Sequence, residues 1–156
     1  MAKITLTAEP GRQELTVTRV FDASPERVFR AMSDPSLIPH WWGPRKYLTI
    51  VDKMDFRDGG TWRFINRDAD GTDYAFHGVY HAIAGPKRVV QTFEWEGMPG
   101  HVSLETMTLE AVGGQTLVTA QSVFQSIADR DGMMQTGMES GANETYDRLE
   151  EVVAKM

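Results

Sequence analysis

The run GTWRFINRDADGTDYAFHGVYHAI, residues 60–83, carries aromatic side chains at alternate positions on both sides of a short polar turn. Trp62 and Phe64 precede the turn, and Tyr74 and Phe76 follow it. Alternation of this kind places side chains on one face of a β-strand, because successive residues point to opposite faces. The letters ADGT are typical of a hairpin connection. The run therefore predicts two antiparallel strands that share an aromatic face.

The same pattern extends on both sides of this hairpin, over residues 48–124. Six strand-like runs are separated by short connections rich in Gly, Pro and Asp, as expected of successive hairpins. The runs are LTIVDKMDF, GTWRFINRD, DYAFHGVYHAI, KRVVQTFEWE, HVSLETMTLEAV and QTLVTAQSVF. An earlier run, Gln13 to Ala23, predicts a further strand. We therefore expect one antiparallel sheet of about seven strands.

Two helix-start signals follow the first predicted strand. Residues 24–25 pair a serine cap with a proline at the first helical position, and residues 34–35 pair an aspartate with a proline in the same way. The second, short helix ends at the letters WWGP, since residues 43–44 stop it. Trp41 and Trp42 then lie where a helix breaks into a loop. Either one indole packs under the sheet while the other rims a pocket, or both anchor the helix.

The spacing becomes helical from Asp129 to Met156. Apolar residues recur at three-and-four spacing along one stripe, which predicts a long amphipathic helix. The stripe consists of Met138, Ala142, Tyr146, Leu149, Val152, Val153 and Met156. One helix about 10 Å wide cannot fill a deeply curved sheet, so we expect a cavity between the two.

Composition limits the function. A chain of 156 residues without cysteine predicts one domain with no disulfide, thiolate nucleophile or cysteine zinc site. A net charge of −6 argues against nucleic-acid binding, which requires clustered Lys and Arg. The sequence has no apolar run long enough for a membrane span and no apolar secretory segment, so a cytoplasmic location is expected.

The predicted order of elements resembles the helix-grip fold of the START and Bet v 1 superfamily, also called SRPBCC. Several stretches are similar to the branch named after the C-terminal domain of the activator of heat-shock protein 90 ATPase. These stretches are RVFDASPERVFRAMSDPSLIPHWWGP, GGTWRF, FHGVYHAI and DRDGMMQTGMESGANETYDRLEEVV. The resemblance runs from about Arg12 to the end of the chain.

The resemblance implies an α+β helix-grip fold: a curved antiparallel sheet wrapped around a long C-terminal helix, with two short helices after the first strand. It implies a single domain over 1–156, with its core at about 12–156, and a hydrophobic ligand cavity. It implies no single activity, because relatives include lipid and hormone binders, polyketide cyclases, resistance proteins and chaperone-associated domains. The chain departs from the branch at Ala142 and Asn143, where many members carry a bulky residue. That difference either enlarges the pocket or shifts packing.

Strand alternation and the helical stripe give a set of candidate ligand contacts that is mostly aromatic, with a few polar groups, as in small-molecule sites. The set comprises Trp41, Trp42, Trp62, Phe64, Asn66, Tyr74, Phe76, Tyr80, Gln91, Phe93, Trp95, Met107, Met134, Met138, Ala142 and Tyr146. The alternative for each aromatic residue is that it belongs to a solid core. Asn66 and Gln91 would each need a hydrogen-bonding partner if buried.

Glu105 shares the predicted face of Met107 and Leu109, which would bury a carboxylate and raise its pKa. The alternative is that a β-bulge shifts the strand and leaves Glu105 exposed. No residue is assigned a catalytic role, because the elbow motif of serine hydrolases and the glycine-rich nucleotide motifs are missing from the sequence.

Metal binding and cofactors are not expected. His77 and His81 lie four residues apart on a strand, about 13 Å, which is too far for two ligands of one ion. The acidic residues Asp129, Asp131 and Glu139 are expected to cap and solvate the last helix.

The favoured hypothesis is a binding domain that holds a hydrophobic or aromatic small molecule between the sheet and the last helix. The sequence favours a binding protein over an enzyme. The alternative is an interaction domain with a chaperone ATPase as its partner, which would connect it to a stress response. A polyketide cyclase-like enzyme, with Tyr80 and Gln91 in the reaction, is a further alternative. The sequence leaves open whether the protein is a monomer or a homodimer.

Overall fold

The structure is a computed structural model that describes residues 2–156. Its strands are β1 (Thr5–Thr7), β2 (Glu14–Phe21), β3 (Leu48–Met54), β4 (Thr61–Arg67), β5 (Asp73–Ala84), β6 (Arg88–Trp95), β7 (Val102–Val112) and β8 (Gln115–Phe124). Its helices are α1 (Pro25–Ser33), a short 3₁₀ helix (Ile38–His40), α2 (Ile127–Met134) and α3 (Met138–Lys155). None of these helices is both long and apolar enough to span a lipid bilayer.

The strands form one antiparallel sheet in the order β1-β2-β8-β7-β6-β5-β4-β3. Pairing of β2 with β8 brings the start of the chain beside the end of the meander, and α3 lies across the concave face of the curved sheet. The α+β helix-grip fold is confirmed. The eighth strand, β1, adds an edge strand next to β2 that the sequence did not predict.

Helix starts were predicted correctly at one site and incorrectly at the other. Ser24 caps α1, and its Oγ accepts a hydrogen bond from the Arg27 N–H. The aspartate at position 34 starts no helix. Its carboxylate instead accepts bonds from the backbone and hydroxyl of Ser36, which makes a turn before the 3₁₀ helix at Ile38–His40. A short Asx turn satisfies the same oxygen that a helix cap would use.

The C-terminal region forms two helices, where the sequence predicted one. Ser126 caps α2 by accepting from the Asp129 N–H, and α2 ends at Met134. Gly137 precedes α3 with a backbone φ of 78°, a left-handed conformation that glycine adopts without steric cost. The single helical stripe therefore applies to α3 alone, and α2 takes its own direction against β8.

One end of the space between sheet and helices is solid. Phe21 of β2, Val28 of α1, and Leu149 and Val153 of α3 have no solvent-exposed surface. The Tyr146 ring meets the Phe21 ring edge to face, with centroids 5.7 Å apart. Burial of this apolar surface fixes α1 and the C-terminal half of α3 on the sheet. The other end, under the N-terminal half of α3, holds the cavity described next.

Candidate functional site

A cavity of about 390 Å³ lies between the concave face of the sheet and the N-terminal half of α3. Most of the residues expected to contact a ligand line it. They are Trp41, Trp42, Trp62, Phe64, Asn66, Phe76, Tyr80, Gln91, Phe93, Met107, Met138, Ala142 and Tyr146. The lining is therefore largely aromatic and aliphatic, with polar groups at a few defined places.

The two neighbouring tryptophans have different roles. Trp41 is buried, and its indole Nε1 donates a hydrogen bond to the Ala31 carbonyl over 2.9 Å, which ties the 3₁₀ helix to α1. Trp42 is half-buried and meets the rings of Phe64 and Phe76 edge to face, with centroids 5.2 Å and 5.4 Å away. Trp41 thus anchors the loop, while Trp42 forms part of the cavity wall.

Rings from three strands extend this wall. The ring centroids of Phe76 and Phe93 are 5.4 Å apart, and those of Trp62 and Phe93 are 6.0 Å apart. Gly78 allows Trp62 to lie against the sheet, since a Cβ at position 78 would stand 2.6 Å from the Trp62 Nε1 and 1.9 Å from the Thr92 carbonyl oxygen. An aromatic wall of this kind, with its rings tilted or edge to face, suits a ring-containing ligand.

The loop that carries Trp42 is held from both sides. Thr49 Oγ1 lies 2.6 Å from the Trp42 carbonyl oxygen and 2.9 Å from Asn66 Oδ1, so its single proton is donated to one of these two acceptors. From α3, Arg148 donates to the Gly43 carbonyl over 2.6 Å. Gly43 has φ of 87°, and a Cβ there would press on the Asn66 side chain. These bonds fix the loop, and with it the position of the Trp42 ring.

Replacing Arg148 with Met is expected to loosen this loop. The change keeps much of the apolar stem but removes the donors to the Gly43 carbonyl and to the more distant Pro39 and Pro44 carbonyls. We expect the free energy of unfolding to fall by about 1 to 3 kcal/mol, as when partly buried carbonyls lose a charged donor. Faster amide hydrogen exchange should be confined to residues 39–47. Exchange that accelerates uniformly over the sheet would contradict a local role.

Hydrogen-bonding side chains form one row across the concave face. In the strand register Tyr80 lies opposite Gln91, Gln91 opposite Glu105, and Glu105 opposite Ser122. All four line the cavity, and Ser122 Oγ donates to Glu105 Oε2 over 3.4 Å. Because this row continues from strand to strand, it forms a polar band in an otherwise apolar wall.

Glu105 faces inward, so the interpretation that a bulge exposes it is wrong. The pairing of β7 with β6 and with β8 runs without a register shift, which keeps Glu105 in phase with Ser103, Met107 and Leu109. Burial raises the pKa of Glu105 to about 7, and the Ser122 hydroxyl offsets that rise only in part. The carboxyl group is therefore partly protonated and partly ionised at neutral pH.

The two tyrosines of the cavity stay protonated at neutral pH. Burial raises the pKa of the Tyr80 hydroxyl above its usual value. Burial also raises the pKa of Tyr146, and the nearby Glu105 adds to that rise. Both hydroxyls are thus available as neutral donors or acceptors beside the polar band.

Three residues expected at the cavity lie outside its lining. Tyr74 stands at the start of β5, where its ring packs against Tyr47 at 5.8 Å. Trp95 stands at the end of β6 and folds over Gly97. Met134 is replaced in the lining by its neighbour Met133, because α2 is a separate helix with its own orientation. Strand alternation gave the correct face of the sheet for Tyr74 and Trp95. It did not show that the cavity stops short of the strand ends where these two residues lie.

Several lining residues were not singled out from the sequence. They include Leu15, Val17, Met32, Ile38, Phe56, Ser103, Ser122 and Phe124. Alternation on β8 was the available signal, since Val118, Ser122 and Phe124 share a face with the buried Thr116. The contributions of Phe56 and Met32 come from a loop and a helix, so alternation could not have located them.

Two of the four histidines pair with carboxylates outside the cavity. His77 Nδ1 lies 2.9 Å from Glu96 Oε2 on the outer face of the sheet, beside the Arg63 ion pair with Glu96. His101 Nδ1 lies 3.0 Å from the Asp129 carboxylate. Over residues 2–156, no cluster of three or more His, Asp or Glu side chains has a geometry suited to a metal ion.

Comparisons with known proteins agree with the fold. A family model, AHSA1, described as activator of Hsp90 ATPase homolog 1-like protein, matches residues 22–154. A protein of known structure from Rhodobacter sphaeroides is 23% identical, covers 99% of each chain and gives a TM-score of 0.91. A protein from Arthrobacter aurescens is 23% identical over 97% of this chain and 92% of its own, with a TM-score of 0.89. No curated protein matches the chain.

Proposed function

The chain belongs to the AHSA1 family, and we propose that it binds a hydrophobic, ring-containing small molecule in the cavity beneath α3. The observation that supports this most directly is the cavity itself. At about 390 Å³ it falls in the range of small-molecule sites, and its wall is mostly apolar. Protein interiors are otherwise close-packed, and an unfilled apolar space destabilises the fold. A bound ligand would recover that lost packing.

A screen of fatty acids, flavonoids and aromatic polyketides by thermal shift would test the proposal. A ligand that binds only the folded chain, at a hundredfold excess over its Kd, should raise the unfolding free energy by about 2.7 kcal/mol. A change in Trp fluorescence should accompany the shift, because Trp42 and Trp62 line the cavity. If no apolar class raises the melting temperature, the proposal fails.

Replacing Ala142 with Trp is expected to weaken ligand binding without unfolding the protein. Ala142 lies on the cavity side of α3, so an indole there would occupy the space that a ligand needs. Affinity for any hit from the screen should fall at least about tenfold, while the empty protein should keep its melting temperature or gain stability as the void is filled. Isothermal titration and thermal melting measure the two effects.

Ser140 provides the matched control on the same helix. It is exposed, and Ser140→Trp adds the same ring on the solvent side of α3. Binding should be unaffected. Equal affinity of Ala142→Trp and Ser140→Trp for the ligand would place the ligand elsewhere.

The family description favours a second candidate, an interaction with a chaperone ATPase. In that case the outer surface of this chain, whose total net charge is −6, would make the contact, and the cavity would be incidental. Capture of a purified chaperone ATPase should then survive Phe93→Ala, which alters the cavity wall, and be lost on reversing surface charges. Capture that depends on Phe93 would instead connect the cavity to the partner.

A further inference from the structure

The polar band in the cavity has an uneven balance of donors and acceptors. An ionised carboxylate only accepts hydrogen bonds and offers about four lone-pair positions. Glu105 receives one bond, from Ser122, and its length of 3.4 Å is at the weak end of the range. Gln91 stands opposite in the register on β6. Most of the accepting capacity of Glu105 therefore remains available to a molecule in the cavity.

The cavity supplies no opposite charge for this carboxylate. Among the described residues, its lining contains no Lys, Arg or His side chain. The guanidinium of Arg19 on β2 is close enough to Tyr146 to offset slightly the rise that burial causes in its pKa. Arg19 is buried, and its guanidinium nitrogens lie 3.2 Å from a carboxylate oxygen of Asp147 and 3.6 Å from one of Glu150. Arg19 is thus already paired with two carboxylates of α3. A counter-charge for Glu105 must come from a proton or from the ligand.

The groups that face Glu105 from its neighbours are neutral around pH 7. Ser122 lies on β8, Gln91 on β6 and the protonated Tyr146 hydroxyl on α3. Glu105 is therefore the group that sets the charge of the cavity interior. Because its pKa is about 7, its carboxyl group changes from neutral to negatively charged as pH rises through the neutral range.

We propose that the ligand is an apolar aromatic amine, whose protonated nitrogen pairs with Glu105 while its rings pack on the wall formed by Trp42, Phe76 and Phe93. An ammonium carries only donors, which complements a carboxylate that carries only acceptors. A pair of this kind, shielded from water by the apolar wall, discriminates strongly against a ligand that lacks the charge. This inference rests on the proposed binding function and names the chemical class of its ligand.

Three probes that share one ring system test it. They are 1-(aminomethyl)naphthalene, its neutral isostere 1-ethylnaphthalene, and 1-acetylnaphthalene, which can only accept a hydrogen bond. We expect the amine to bind at least about tenfold more tightly than the ethyl compound at pH 8, as one charge-assisted bond would give. Isothermal titration at pH 6, 7 and 8 measures all three.

The pH dependence has a definite sign. The amine stays protonated over this range, whereas Glu105 loses its proton as pH rises through about 7. Affinity for the amine should therefore increase about tenfold from pH 6 to pH 8, in proportion to the ionised fraction of the carboxyl group. Affinity for 1-ethylnaphthalene should change little. If 1-acetylnaphthalene binds more tightly at pH 6 than the amine does at pH 8, the inference is overturned, since the cavity would then prefer a ligand that accepts a bond from protonated Glu105.

Variants complete the test. Glu105→Gln keeps the side-chain shape but cannot ionise, so it should remove both the preference for the amine and its pH dependence. Glu110→Gln, on the exposed side of the same strand, should change neither. If the neutral naphthalene binds and the amine binds no better, the inference fails while the binding function survives. If no naphthalene binds and the ligand screen also gives no shift, the binding function itself fails.

Discussion

Phe21→Ala is expected to lower the free energy of unfolding by about 3 to 5 kcal/mol, the usual cost of truncating a fully buried phenylalanine. Phe21 has no exposed surface, and its ring meets Tyr146 at 5.7 Å. The Arg19 guanidinium also stacks over it, 4.6 Å from the centroid. The ring therefore fastens β2 to α3 at the solid end of the fold. Since small domains are stable by only about 5 to 15 kcal/mol, this loss is severe.

Urea denaturation of Phe21→Ala against the unmodified chain measures this effect. Leu104→Ala is the matched control, since it also truncates a strand side chain, but Leu104 is 44% exposed on the other face of the sheet. Its cost should stay within about 1 kcal/mol. A Phe21→Ala loss as small as that of Leu104→Ala would mean that the solid end of the fold is not where the stability resides.

The strands could be predicted because their signal is local. Alternation and turn residues located the strand Gln115–Phe124 with its observed ends, and they gave the inward face of β4 correctly at Trp62, Phe64 and Asn66. The serine cap at Ser24 is equally local, since the bond spans three residues. Features that depend on neighbours within a few positions are recorded in the sequence itself.

The missed features depend on distant parts of the chain. β1 is only three residues long and is held by pairing with β2, so its own residues give little signal. The break between α2 and α3 required a left-handed Gly137, but glycine within a helical pattern also occurs in continuous helices. Alternation likewise gave the face of the sheet on which Trp95 lies, but not how far along β6 the cavity extends; it reaches Phe93 and not Trp95.

Glu105 illustrates how the candidate site depended on register. The sequence allowed two environments for this residue, because one bulge would reverse the face of the rest of β7. Bulges do occur in the sheet, in β3 and in β5, but the pairing around Glu105 is regular. Only the observed pairing placed the carboxylate beside Ser122, and the proposed preference for an amine rests on that row.

Glu105→Gln is expected to make the empty protein more stable at alkaline pH, by up to about 3 kcal/mol at pH 8. Burial raises the pKa of Glu105 to about 7, against 4.5 for an ordinary glutamate. Below about pH 4.5 the carboxyl group is protonated in both the folded and the unfolded chain, so it has no pH-dependent effect. Between about pH 4.5 and pH 7 the unfolded chain releases a proton that the folded chain retains, so rising pH favours unfolding. Each pH unit in that window costs the folded state about 1.4 kcal/mol.

Urea denaturation of both proteins without ligand, from pH 4 to pH 8.5, measures the difference. All other carboxyl groups titrate alike in the two chains, so the difference should rise through the window and level off above about pH 7. Glu110→Gln should give a flat difference. A flat result for Glu105→Gln as well would show that water reaches the carboxylate freely. A carboxylate that destabilises the empty fold is typical of a functional position, and a protonated amine in the cavity should reduce the advantage of the Gln variant.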